Sequence, residues 1–184
     1  MVQEISMYAI IDVETTGGKY KEEGITEIAI YRYDGKKVID SFVSLVNPEK
    51  KIHPFVEKLT GINYELIKNA PRFYQIAKKI IEITEDAIIV AHNAQFDYRM
   101  IKQEFSRLGY DYNKITLCTI EFSKTILPRI KSYKLDNLAM SLNIEITNRH
   151  RADGDALATL QVLKFLLKKD KGKKILNELI KSKN

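Results

Sequence analysis

From Met7 to Val13 the chain is apolar with almost no alternation, the pattern of a strand covered on both faces. Between Ile25 and Pro48 two β-rich runs meet at Asp34-Gly35, a dipeptide that favours tight hairpins. The first three strands are therefore expected as an antiparallel meander. From Pro54 the spacing turns helical, with Phe55, Leu59, Ile62, Leu66 and Ile67 as its apolar positions. Ala70-Pro71 interrupts it, and a further helix is predicted from Phe73 to about Ile83. Ala87 to Ala91 reads as a short buried strand, followed by a helix that carries Ile101, Phe105 and Leu108 and closes at Gly109. Ile115 to Thr119 predicts a fifth strand. Helices then fill Ile120 to Ile126, Leu135 to Leu142, Asp153 to about Lys168, and Ile175 to Ile180. In the Asp153 helix, Ala156, Leu160, Leu163 and Leu167 mark one buried stripe.

A meander followed by strands alternating with helices predicts an α/β fold with a mixed five-stranded sheet flanked by helices. No repeat, low-complexity tract or linker divides the chain. One domain is expected over residues 1–184, with its core over about 7–168 and a basic C-terminal helix at 169–184. Hydrophobic residues make up 45% and charged residues 29%, a globular balance and not a disordered one. No apolar run approaches the roughly 20 residues that span a bilayer, and MVQEISMYAI lacks the basic and apolar regions of a signal peptide. Cys118 is the single cysteine, so an intrachain disulfide is excluded. The expectation is a soluble cytoplasmic protein without a membrane partner. The net charge of +6 favours a polyanionic partner. Much of that excess, however, lies in Lys168 to Lys174 and in the closing KSKN, where solvated helix ends explain it equally well.

Candidate chemistry gathers at three places where a strand ends or a helix starts. In YAIIDVETTG an apolar strand ends on Asp12 and Glu14, two residues apart and so on one face, about 6.5–7 Å from each other. At an effective dielectric near 20, two full charges at that distance repel by about 2–3 kcal/mol. A basic side chain, a shared proton or a divalent cation must offset this, and oxygen-only ligands suit Mg²⁺ or Mn²⁺. Taken alone, the motif fits a solvated strand end just as well. In IVAHNAQFDYRMI, Asp97 falls in the first turn of a helix, where any acid is favoured. Asn93 reads as a turn residue and His92 as a half-buried histidine. In HRADGDALATLQVL, Asp153 is the expected N-cap, which leaves Asp155 in the first turn without a capping task. His150 lies just before this helix, on a segment free to bend over a site. Jointly, four carboxylates can hold two divalent ions, and a histidine can take a proton from water.

These segments resemble the DEDD superfamily of 3′→5′ exonucleases, in the branch with a histidine general base. That branch includes the proofreading (epsilon) subunit of bacterial DNA polymerase III and ribonuclease T. The family's first motif matches IIDVETTG, its second HNAQFD, and its third His150 to Asp155 with a four-residue gap. KLTGI and SYKLDNLAMSLNI match further family segments in the expected order. The resemblance implies a ribonuclease H-like fold and two divalent cations, Mg²⁺ or Mn²⁺, on Asp12, Glu14, Asp97 and Asp155. It implies His150 as general base, the backbone around Thr15 and Thr16 at the 3′-hydroxyl, Leu59 to Ile62 against the last bases, and Asn93 as a residue that shapes the site. The implied substrate is the single-stranded or frayed 3′ end of DNA. RNA remains an alternative, because discrimination rests on a 2′-OH pocket that the motifs do not encode. A catalytically inactive nucleic-acid-binding module is the remaining one. The polymerase subunit carries a carboxy-terminal extension, whereas this sequence stops soon after its final helix; a free-standing nuclease is expected, a piece of something larger is the alternative, and proofreading or repair roles and a DNA polymerase partner are left open.

Overall fold

The computed structural model describes residues 7–181. The amino-terminal segment read for a signal peptide lies partly outside these residues, as does the end of the lysine-rich tail. β1 (Tyr8–Thr15) is central. Its Ala9, Ile11 and Val13 enter one core cluster, while Tyr8 and Ile10 enter a second on the opposite face. Burial on both sides is why the run shows so little alternation. β2 (Ile25–Tyr33) pairs antiparallel with β1 and with β3 (Val38–Leu45). The β2–β3 turn is set by Asp34, whose Oδ1 accepts from the Lys36 and Lys37 amides at 2.8 and 2.7 Å, and by Gly35 at φ 88°.

Two short helices follow, α1 (Pro54–Thr60) and α2 (Tyr64–Ile67). Gly61, left-handed at φ 72°, ends α1, and the Asn63 side chain caps α2. The apolar positions of the predicted helical stretch fare differently. Only Ile62 and Ile67 are buried, whereas Phe55, Leu59 and Leu66 are exposed, because the Gly61 break rotates the two turns out of register. α3 (Phe73–Ile83) covers one face of the sheet, and its Phe73, Ile76, Ala77, Ile80 and Ile83 are buried. β4 (Ile88–Ala91) and α4 (Ala94–Arg107) come next, then β5 (Thr116–Cys118) and α5 (Thr119–Ile126). α6 (Leu135–Ser141), α7 (Ala152–Lys169), a 3₁₀ turn at Lys171–Lys173 and α8 (Lys174–Lys181) complete the order. The sheet order is β3-β2-β1-β4-β5, with β1, β4 and β5 parallel, which is the mixed five-stranded sheet expected. Leu108, the last apolar position of the predicted helix, is exposed because it caps the end of α4 and no longer follows the helical face.

The start of α7 differs from expectation in one respect. Asp153 is not the N-cap; Arg151 occupies that position without a side-chain cap. The helix start is served from another strand instead. Buried Glu27 on β2 accepts from the Ala152 amide at 2.9 Å and pairs with the Arg151 guanidinium at 2.9 Å. Asp153 accepts from the Tyr31 hydroxyl, also on β2. With its first amide engaged by Glu27, α7 has no use for a local cap, and its first turn is fixed beside β1 and β2.

Gly154 makes this approach possible. A Cβ there would meet the Thr147 carbonyl oxygen at 1.9 Å and the Asn148 carbonyl oxygen at 2.5 Å, both backbone atoms. Gly154→Ala is therefore expected to lower stability by about 1–3 kcal/mol or more, measured by urea denaturation. A loss under about 0.5 kcal/mol would mean that the 147–148 segment is not held against α7.

Candidate functional site

β1 and β4 run parallel, so α4 starts at the same edge of the sheet at which β1 ends. Such an edge collects functional groups in α/β folds. Continuing the face of Tyr8 and Ile10, Asp12 and Glu14 turn towards α7, whose first turn supplies Asp155. One ligand oxygen from each of Asp12, Glu14 and Asp155 lies within 4.8 Å of the others. Asp97 arrives from the first turn of α4 and stands beside this trio rather than within it. Its Oδ1 accepts from the Val13 amide at 3.1 Å, which ties α4 to β1 between the two strand acids. The sequence thus brings acids from three remote segments to one place, three of them close enough to share an ion.

The electrostatics are unfavourable for four free carboxylates. Burial, followed by the charges of Asp97, Asp155 and Glu14, pushes the Asp12 carboxyl well above the usual carboxylate range. Burial and then Asp155 and Glu27 raise Glu14 to about 8. Burial raises Asp97 to about 7 against the pull of the Val13 amide. Asp155 is also raised by burial, with Arg149 and His150 opposing. Asp155 Oδ1 is buried and has no hydrogen-bond partner among the described residues. A buried carboxylate with one unpartnered oxygen, within ligand distance of two further carboxylates, is a donor set suited to a hard divalent cation.

Positive charge reaches the site from residues that were not singled out in the sequence. Arg149 pairs with Asp155 and also with Asp136 at the start of α6. The cleft they share with Asp12 measures about 480 Å³ and is also lined by His92, Lys124, Tyr133 and Lys134. His150 is half-buried and left-handed at φ 61°, on the segment that leads into α7. His92 has a structural place. Its Nε2 donates to the Tyr133 carbonyl at 2.8 Å, Nδ1 faces the Thr119 hydroxyl at 2.9 Å, and burial lowers its pKa. Glu27, Arg149 and Arg151 escaped the sequence reading because their pairings depend on tertiary contact alone. Asp136 lay inside a family-like segment, without a reason to assign it chemistry.

The residues expected to meet substrate are scattered around this cleft. Thr15 and Thr16 are buried. The Thr16 amide donates to Gly24 at 2.9 Å and its carbonyl accepts from His53 at 2.8 Å, so both groups brace the turn after β1. Leu59 is exposed on α1, as are Phe55 beside it and Tyr64 and Leu66 on α2. Asn93, left-handed at φ 79°, lines a separate cavity of about 940 Å³ along α4, together with Tyr20, Tyr98, Arg99 and Lys102, and not the acidic cleft.

The exonuclease family RNase_T matches residues 9–163. The chain is 36% identical over 162 residues to a DNA polymerase III of PolC type from Caldanaerobacter subterraneus, covering 88% of this chain and 12% of that protein. It is also 36% identical over 160 residues to the 3′-5′ exonuclease DinG of Staphylococcus aureus, covering 86% of this chain and 18% of the other. The chain therefore spans less than a fifth of the length of either relative. Among solved structures, exonuclease X in complex with 5′ overhanging duplex DNA superposes with a TM-score of 0.74 at 23% identity, over 96% of this chain and 99% of that one. E. coli exonuclease I in complex with a dT13 oligonucleotide gives 0.79 at 20% identity, over 90% and 42%. The shared fold is the ribonuclease H-like one. No helix among the described residues is long and apolar enough to cross a membrane.

The raised carboxyls have a consequence for stability. Glu14 binds its proton more tightly folded, near 8, than unfolded, near 4.5, so stability falls as pH rises through that window. Asp97 adds the same trend up to about 7. In chelator, the melting temperature is expected to fall between about pH 5 and pH 8, and Glu14→Gln is expected to flatten the slope. A melting temperature that rises across this window would contradict the assignment.

Proposed function

Because the chain belongs to the exonuclease family RNase_T, we propose that it is a metal-dependent 3′→5′ exonuclease. It releases nucleoside 5′-monophosphates from single-stranded or frayed DNA ends. The observation that carries this reading is the convergence of Asp12, Glu14 and Asp155 within 4.8 Å, with one buried Asp155 oxygen left unpartnered. Asp12, Glu14 and Asp155 would hold one divalent ion, and Asp97, with Asp12, would serve a second. When bound, such a pair supplies an activated water and stabilises charge on the departing 3′ oxygen. The protein's own groups do the rest. His150, on the segment next to Asp155, accepts the water's proton at its imidazole. Glu27 and Arg151 keep α7, and with it Asp155, in register with β1. Exposed Leu59, with Phe55, offers an apolar surface to the terminal bases. Thr15 and Thr16 brace the turn against which the 3′ nucleotide rests.

The two curated relatives support a role in DNA metabolism, through the polymerase named in one and the 3′-5′ exonuclease named in the other. On this reading the chain acts in proofreading or repair, with a DNA polymerase as candidate partner. RNA is the second substrate reading. A solved neighbour at 18% identity, with a TM-score of 0.74, is a nuclease domain bound to rAMP.

The test is a time course on matched DNA and RNA oligonucleotides labelled at the 5′ end, with Mg²⁺, with Mn²⁺ and with chelator. The expected result is a ladder shortening from the 3′ end, faster on DNA, and abolished by chelator. Asp12→Asn is expected to remove hydrolysis while leaving the circular-dichroism spectrum unchanged. Undiminished digestion by that variant would reject the site, and faster digestion of RNA would transfer the substrate assignment to RNA.

A further inference from the structure

We propose that Arg149 is the resident counter-cation of the acidic cleft and hands Asp155 to a divalent ion by retreating to Asp136. This rests on the metal-ligand reading above. Arg149 bridges two acids of unequal character: the Asp155 side chain is 6% exposed and the Asp136 side chain 53%. A buried carboxylate without a counter-charge is far more costly than a solvated one, so the guanidinium belongs on Asp155 while no other cation is there. Asp155 offers its two oxygens differently, however. Oδ2 holds Arg149, whereas Oδ1 is buried and has no partner among the described residues.

An ion bound by Asp155 together with Asp12 and Glu14 would set its two charges against a guanidinium on the same carboxylate. The guanidinium has somewhere to go. Its Nε already contacts Asp136, which lines the same cleft at the start of α6. Releasing Asp155 therefore costs Arg149 one of two anions, not both. Arg149 also sits in a strained stretch, with left-handed Asn148 before it and left-handed His150 after it, at φ 53° and 61°. Arg149 is thus a positioning residue: it protects the acids in the absence of metal and sets the affinity for metal.

The account predicts opposite effects for two substitutions in Mn²⁺ calorimetry on the whole protein without nucleic acid. Arg149→Gln removes the competing cation and is expected to tighten Mn²⁺ binding about three- to tenfold. Asp136→Asn removes the retreat, keeps Arg149 on Asp155, and is expected to weaken binding by a similar factor, about three- to tenfold. In thermal melts, Arg149→Gln should fall below wild type in chelator and recover with saturating Mn²⁺. Lost packing alone would lower both melts and leave the affinity unchanged. Unchanged affinities, or shifts of both variants in one direction, would overturn the proposal. Wild-type protein that binds no Mn²⁺ would overturn the metal-ligand reading itself, and the role of Arg149 with it.

Discussion

Three carboxylates of one sign, Asp12, Glu14 and Asp155, lie close enough to share a single ion, and each would be more stable in water apart from the others. The surrounding structure overcomes that repulsion by rigid construction. β1 is held over Tyr8–Ile10 by a parallel ladder to β4, and its antiparallel ladder to β2 continues through Asp12 and Glu14, which fixes the face on which both acids stand. The Val13 amide between them is claimed by Asp97. From the opposite side, Glu27 grips both the Arg151 side chain and the Ala152 amide, and so sets the first turn of α7 and the position of Asp155. Stability is sacrificed locally at the site and recovered in the two core clusters that flank the sheet.

The positive charge that matters here is local, not global. The excess of +6 includes lysines that do not line the cleft, among them Lys36 and Lys37 in the β2–β3 turn. Two arginines flanking His150 do the balancing. Arg151 neutralises Glu27, which would otherwise stand opposite Glu14 across the β1–β2 ladder as an unopposed like charge. Arg149 neutralises Asp155. A five-residue stretch from Arg149 to Asp153 therefore carries two counter-cations, the proposed general base, the helix start and the Tyr31 contact. Gly154, immediately after it, lets the preceding loop close down on α7.

Much of this was legible in the sequence because it is written in local periodicity. The unalternating run of β1, the Asp34-Gly35 turn and the Ala156–Leu160–Leu163 stripe each correspond to an element found. The acids could be picked out because three strand or helix ends each carried one. What stayed hidden depends on long-range pairing. Nothing near Glu27 marks it as an anchor for a helix start 125 residues away. Asp153 looked like a cap because local rules favour it, and a tertiary acceptor on β2 overrode them. On α1 and α2 the helical spacing does not say which apolar positions are covered: Ile62 and Ile67 join a small core with Ile52, whereas Leu59 and Phe55 face solvent. Arg149 was not singled out, since its two partners come from separate helices.

The central claim is that the acids at the end of β1 are assembled as a cage for divalent cations. Anomalous diffraction from crystals soaked in Mn²⁺ tests it most directly. The account predicts a peak enclosed by Asp12, Glu14 and the Asp155 oxygen that is unpartnered here, a second towards Asp97, and Arg149 resting on Asp136 alone. Well-ordered acids with manganese bound only elsewhere, and Arg149 still on Asp155, would contradict it.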